Sequence, residues 1–167
     1  MGYFIGISNI FNNNSLYKLC KSCHPPDIIL DDDLALYTGQ WFSEDLGDSQ
    51  YGSGVHSITK RGRGEAIWQL PINVSGHYKL YIHSPGGDHL ARKAHYVVNA
   101  AKSQYQLNID QRHPSQQWQL LGTYFFNETA QQYLKLKNNP NSKKKIIADA
   151  IKLTYVEAIT LNKSVES

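Results

Sequence analysis

From His77 to His83 the chain alternates strictly between two kinds of side chain. Tyr78, Leu80 and Ile82 fall on one face, and His77, Lys79, Tyr81 and His83 on the other. A period of two is the mark of a half-buried strand, because successive side chains leave opposite sides of the pleat. The pattern recurs. Ala66, Trp68 and Leu70 oppose Glu65, Ile67 and Gln69; Tyr105, Leu107 and Ile109 alternate with Gln104, Gln106, Asn108 and Asp110; Leu134 and Leu136 oppose Tyr133, Lys135 and Lys137. A short strand is expected at Ile28–Leu30, a weak one at Ser53–Thr59 and another strand at Ala94–Ala100. Pro71–Gly76 and Ser84-Pro85-Gly86-Gly87-Asp88 carry turn chemistry. No long amphipathic helix intervenes. The pattern predicts an all-β fold, an antiparallel β-sandwich or jelly roll with roughly eight to nine strands.

Two late segments sharpen the expectation. Trp118–Phe126 reads WQLLGTYFF and Ile146–Tyr155 reads IIADAIKLTY. Alternation places Trp68 and Trp118 inward, as core. The second segment carries Asp149 inside an apolar run. An acid there must be hydrogen-bonded, bound to a metal or turned to solvent.

With 167 residues the chain suits one domain and buries enough surface to need no staples. Eleven tyrosines and three tryptophans against one methionine favour strands. A net charge of +3, without a concentrated basic face, argues against a nucleic-acid partner. Lys143-Lys144-Lys145 reads as a solvated turn. No stretch approaches the ~20 apolar residues of a membrane span. The N-terminus lacks the basic region of a signal peptide, and Gly6, Ser8 and Asn9 interrupt its apolar stretch. The chain is then cytosolic, exported by another route, or cut from a longer precursor.

Residues 1–26 contain Asn12-Asn13-Asn14 and end in Pro25-Pro26, and read as an N-terminal arm or leader; residues 27–156 are the sandwich, and residues 157–167 a polar tail. Cys20-Lys21-Ser22-Cys23-His24 has the spacing of covalent haem attachment. It also offers half a zinc site or a redox pair, but no second pair completes four ligands. The favoured reading is two cysteines, free or bridged, in a leader. Asn13, Asn73, Asn127 and Asn162 open N-glycosylation patterns, which carry meaning only in a secreting eukaryote.

Between residues 28 and 155 an ordered series of short motifs resembles the golvesin C-terminal/xanthan-lyase carbohydrate-binding-like domain family. The series runs Asp31-Asp32-Asp33, Gly39-Gln40-Trp41, Tyr51-Gly52, Ala66-Ile67-Trp68 before Pro71, then Gly76-His77-Tyr78-Lys79-Leu80-Tyr81. Ala94-His95-Tyr96-Val97-Val98, Asp110-Gln111, Trp118, Leu121-Gly122-Thr123-Tyr124 with Phe126, and Ala148-Asp149-Ala150-Ile151 complete it. The resemblance implies a β-sandwich of the jelly-roll, galactose-binding-like kind, an accessory domain of secreted or surface enzymes acting on polysaccharide or peptidoglycan, with no catalysis of its own. Its implied location is extracellular or at the cell envelope. The sequence departs from the family in two ways: no enzyme domain is read beside it, and the loop before Ala94 reads His89-Leu90-Ala91-Arg92-Lys93 where small polar residues and an arginine are usual.

Sugar recognition needs aromatic faces for pyranose C–H groups and planar polar side chains for hydroxyls. Tyr37, Trp41, Tyr51 and Tyr81 are the candidate platforms, with Asp88, His89 and Arg92 as polar partners; the alternative for Trp41 and Tyr51 is core packing. Asp31, Asp33 and Asp149, with Asp32 beside them, are candidate ligands of a structural calcium. The alternative is that Asp149 accepts backbone N–H bonds from the opening loop and needs no metal. His56, His77, His83, His89, His95 and His113, with Ser57, Ser84 and Ser115, form no recognisable catalytic motif, and each histidine reads as surface. The expectation is a non-catalytic module binding a cell-surface glycan, polysaccharide or peptidoglycan, with no cofactor beyond the calcium. The alternative is a structural subunit that docks onto other proteins of an envelope assembly through residues 1–26. A hydrolase comes third.

Overall fold

The computed structural model describes residues 24–59, 63–113, 118–138 and 143–156. Most of the N-terminal arm, Cys20, Cys23, Ser115, the C-terminal tail and the patterns at Asn13 and Asn162 lie outside the described residues. The described residues form twelve strands and two short 3-10 turns. In chain order the strands are β1 (Ile28–Leu30), β2 (Leu36–Gly39), β3 (Phe42–Glu44), β4 (Val55–Ile58), β5 (Gly64–Gln69) and β6 (Gly76–Ile82). Then come β7 (Ala94–Ala100), β8 (Ser103–Ile109), β9 (Gln119–Phe126), β10 (Tyr133–Asn138), β11 (Ile146–Ala148) and β12 (Ile151–Val156).

They assemble into a four-stranded sheet of order β1-β12-β6-β9, a five-stranded sheet of order β2-β5-β10-β7-β8, and a small sheet of order β11-β4-β3. Every strand pairing is antiparallel. The two larger sheets press their apolar faces together. Tyr78, Leu80, Ile82, Phe126 and Leu153 meet Trp68, Tyr96, Val98, Leu134 and Leu136 in one core. Val55, Leu90 and Ile147 form a satellite cluster under the small sheet.

The sandwich is as expected, but two departures in detail matter. There are more strands than anticipated, because β2 and β3 are short and largely exposed and give little alternation to read. The Ile146–Tyr155 segment is also not one strand. β11 pairs with β4, whereas β12 pairs with β6, so the chain changes sheets at Asp149-Ala150. No Gly or Pro marks that crossing.

Trp68 is sealed in the core, and its indole N–H donates to the carbonyl of Asp31 at 3.1 Å. Trp118 does not join it. In the pairing of β6 with β9, Leu80 faces Gly122 but Tyr81 faces Leu120, which leaves Leu121 without an opposing residue. This bulge shifts the alternation by one. Residues beyond it that parity would send inward therefore turn to the outer face, and Trp118 lies half-buried there.

Candidate functional site

The site is built where strands end and the chain crosses between sheets. Asp149 sits at the crossing with its carboxylate sealed from solvent. It accepts the backbone N–H of Tyr51, at 3.2 and 3.4 Å to its two oxygens, and lies 2.8 Å from Nδ1 of His83. A carboxylate only accepts, so Nδ1 carries the proton in this pair. Asp149 therefore holds the 51 loop and the end of β6 together. The backbone donor comes from Tyr51 rather than from the opening loop at Asp31.

Those two holds fix a cluster of rings. Tyr51 lies 5.1 Å from Trp118 and 6.1 Å from His83, and His83 lies 5.6 Å from Trp118, all tilted or edge-on. Continuing the β6–β9 register one step past Ile82–Gln119 brings His83 beside Trp118. The bulge is thus what delivers the indole to this cluster. On the same outer face, Lys152 pairs with Tyr81 across β12 and β6. Its ammonium stands 4.9 Å from the Tyr81 ring and 4.9 Å from the Trp118 ring. Such placement over two π faces is favourable for the cation. The result is a half-buried aromatic shelf with one positive charge, carried by rigid strands and braced from beneath by a buried acid.

Beside it lies the acidic opening turn. The Asp31 side chain accepts the N–H of Asp32 at 2.9 Å and caps the first 3-10 turn. Gly52 lets that carboxylate in close: a Cβ at residue 52 would lie 1.9 Å from Asp31 Oδ2, and the backbone there has φ +63°. Burial raises the Asp31 carboxyl above its ordinary value, and the charges of Asp32, Asp149 and Asp33 add to this, against the lowering effect of its bond to Asp32.

Tyr37 and Trp41 form a second group with His56. Tyr37 stacks on His56 at 4.4 Å and meets Trp41 at 5.2 Å. Their polar ends are taken by backbone carbonyls: Tyr37 donates to that of Asp32 at 2.6 Å, and Trp41 to that of Thr38 at 2.9 Å. His56 Nδ1 lies 2.5 Å from Asp32 Oδ2. Both rings pack against the main core. Burial and the nearby carboxylates push the Tyr37 hydroxyl well above the usual tyrosine range.

Of the residues expected to bind ligand, the structure therefore joins Tyr51 and Tyr81 through Trp118 and Lys152, and joins Tyr37 to Trp41. Asp88, His89 and Arg92 are exposed on the long β6–β7 loop. The Asp88 carbonyl accepts from Lys144 at 3.1 Å, and His89 lines a cleft with Lys143, Lys144 and Lys145. The shelf residues that sequence reasoning did not assign to ligand are His83, Trp118 and Lys152. Gly122 inside a strand was the available signal, since an interior glycine often marks a bulge. The carboxylates considered for calcium fit a metal poorly. Asp149 is occupied by Tyr51 and His83, Asp31 caps its turn against Gly52, and Asp33 is exposed. Among the described residues, no three His, Cys, Asp or Glu side chains gather into a metal-holding group. Nor, among them, is any helix long and apolar enough to cross a membrane.

Comparison with known proteins agrees with this architecture. The family model of the Golvesin C-terminal domain matches residues 28–155. No curated protein sequence matches the chain. Among solved structures, Paenibacillus xanthan lyase is similar at 23% identity and a TM-score of 0.72, over 78% of this chain and 13% of the lyase chain. A family 35 carbohydrate binding module from Clostridium thermocellum is similar at 14% identity and a TM-score of 0.53, over 79% of this chain and 100% of the module. The CBM35 from Cellvibrio japonicus Abf62 is similar at 14% identity and a TM-score of 0.53, over 79% of this chain and 95% of that one. These likenesses establish the jelly-roll sandwich fold. The chain spans only a small part of the lyase it matches.

Proposed function

The chain belongs to the golvesin C-terminal domain family, and from that premise we propose that it is a non-catalytic module that binds a glycan outside the cell or at its envelope. The observation that carries this reading is the outward shelf of Tyr81, Trp118 and Lys152. Aromatic rings on a sheet face present flat apolar surface to the C–H groups of a pyranose. The ammonium between them donates to ring hydroxyls or meets a carboxylate. Tyr51 and His83 close one side of the shelf, and Asp149 fixes both. Strands hold the platform, so little side-chain freedom is lost when a sugar docks. The similar carbohydrate binding modules support the same reading.

The test is retention on insoluble polysaccharides and on a glycan array. The native chain should be held by at least one glycan, and Trp118→Ala and Tyr81→Ala should each weaken retention by about tenfold with the fold unchanged, as one lost stacking contact would. No retention on any glycan, with stoichiometric co-purification of protein partners, would overturn the module in favour of a structural subunit.

A further inference from the structure

A second cleft lies at the other end of the sandwich. β9 starts at the shelf and ends eight residues beyond Trp118 at Phe126, which is roughly 25 Å along an extended strand. There the turn after β7 and the turn after β9 approach each other. They enclose a cleft of about 480 Å³, lined by Ala100, Ala101, Lys102, Ser103, Tyr105, Phe125, Asn127 and Ala130. β8 and β9 are the edge strands of the two large sheets, so the cleft opens at the seam of the sandwich.

Three features mark it as a built site. The first is apolar surface left uncovered: Tyr105 is 43% and Phe125 45% exposed, at the rim of one cleft. The second is rigidity supplied from below. Gln132 is buried, and its Oε1 accepts the N–H of Ala101 at 2.9 Å and of Asn127 at 2.8 Å, while its Nε2 donates to the Asn127 carbonyl at 2.8 Å. One amide thus clamps both walls. The third is a tight turn that fixes one wall: Ala101-Lys102 is the two-residue hairpin between paired Ala100 and Ser103, and Ala101 takes the positive φ such a turn requires, 44°.

We propose that this cleft is a second carbohydrate-binding site, which takes one sugar ring of a glycan chain, with the Lys102 ammonium at its edge as a donor to hydroxyls. Its size suits one small ring system. Tyr105 and Phe125 offer the apolar faces, and the small side chains of Ala100, Ala101 and Ala130 leave room beside them. Ser103 and Asn127 offer a hydroxyl and an amide. The Asn127 side-chain Oδ1 already accepts from the N–H and hydroxyl of Thr129, which leaves its NH₂ as the donor. Backbone groups of two edge strands add further donors and acceptors along the seam. The site is independent of the shelf, so the chain would grip a polysaccharide at two points.

The test uses the full chain carrying Trp118→Ala, which disables the shelf. Neutral hexasaccharides built from glucose, mannose, xylose or galactose are titrated to millimolar concentration and followed by amide NMR. The expected result is shifts at Ala101, Ser103 and Asn127, and a weakening of about tenfold in Phe125→Ala and in Tyr105→Ala, the change expected for one stacking contact. Phe125 is exposed, so its removal leaves the core intact. No shift at those amides with any sugar would overturn the site, as would shifts undiminished in both variants. Shifts with an extended peptide but with none of the sugars would also overturn it and reassign the seam to strand addition. The same titration of the native chain reads the shelf at Tyr51 and His83, so failure of one site is distinguishable from failure of the other.

Discussion

His83 and Asp149 are joined Nδ1 to Oδ2 at 2.8 Å, across the point where the last segment passes from the small sheet to the four-stranded one. The same acid receives the Tyr51 N–H. One buried carboxylate therefore sets the position of two of the rings that frame the shelf. Replacing Asp149 with Ala leaves both donors short of an acceptor. The expected loss is about 1–3 kcal/mol for each group stranded, read from urea denaturation, with glycan retention falling in parallel. Asp149→Asn keeps one acceptor and should cost less. Equal stability of the Ala variant and the native chain would contradict this role.

Gly52 and Asp31 make a sharper test. An alanine at 52 would place its Cβ 1.9 Å from Asp31 Oδ2, on a backbone at φ +63°. Gly52→Ala should destabilise by about 1–2 kcal/mol from the left-handed conformation alone, and further from the clash. In an Asp31→Ala background the clash disappears, so the same change should cost less. Additive losses in the double variant would show that the two residues do not touch.

Acid should unmask two carboxyls with opposite signs. Bonds from Lys145 and Ser57 hold Glu44 below its ordinary 4.5, so its contribution to stability is present above that value and is lost as pH falls through its lowered folded value. Asp31 is raised by burial and like charge, so its ionised form weakens the fold, and that penalty fades as pH falls through its raised folded value towards 3.8. Glu44→Gln should flatten the acid limb of the stability curve. Asp31→Asn should gain stability at neutral pH and none at about pH 3. Urea midpoints measured across that range decide both signs.

The two tryptophans should separate cleanly. Trp68→Ala opens a core cavity and should cost about 3–5 kcal/mol. Trp118→Ala should cost under about 1 kcal/mol, since no cavity forms at a half-buried surface. Acrylamide should quench Trp118 strongly and Trp68 weakly, measured in chains where Trp41 and one of the pair are replaced by Phe. Equal quenching would put the bulge in doubt.

Strict alternation made β5, β6, β8 and β10 legible, because a half-buried strand must sort its side chains by face. Short edges such as β2 and β3 bury too little to leave that imprint. The sheet change at Asp149-Ala150 was hidden inside a continuous apolar run, though the misplaced acid did announce that something there needed a partner. Tyr51 and Tyr81 were readable as aromatic candidates by type. Their company was not, since His83, Trp118 and Lys152 reach them only through register, which no local pattern encodes. Sequence likewise gave no sign that Gln132 ties two turns together, as a lone glutamine between strands looks like solvent-facing loop.

The unpaired Leu121 has a consequence for how relatives of this chain should be compared. Parity along β9 is defined separately on either side of it, so one residue inserted or deleted there swaps interior for exterior over the whole leading stretch. A relative that lacks the extra residue would present a different side chain at the rim while keeping every core position beyond Gly122. Aligning such chains without a gap at this point would assign the wrong indole to the surface.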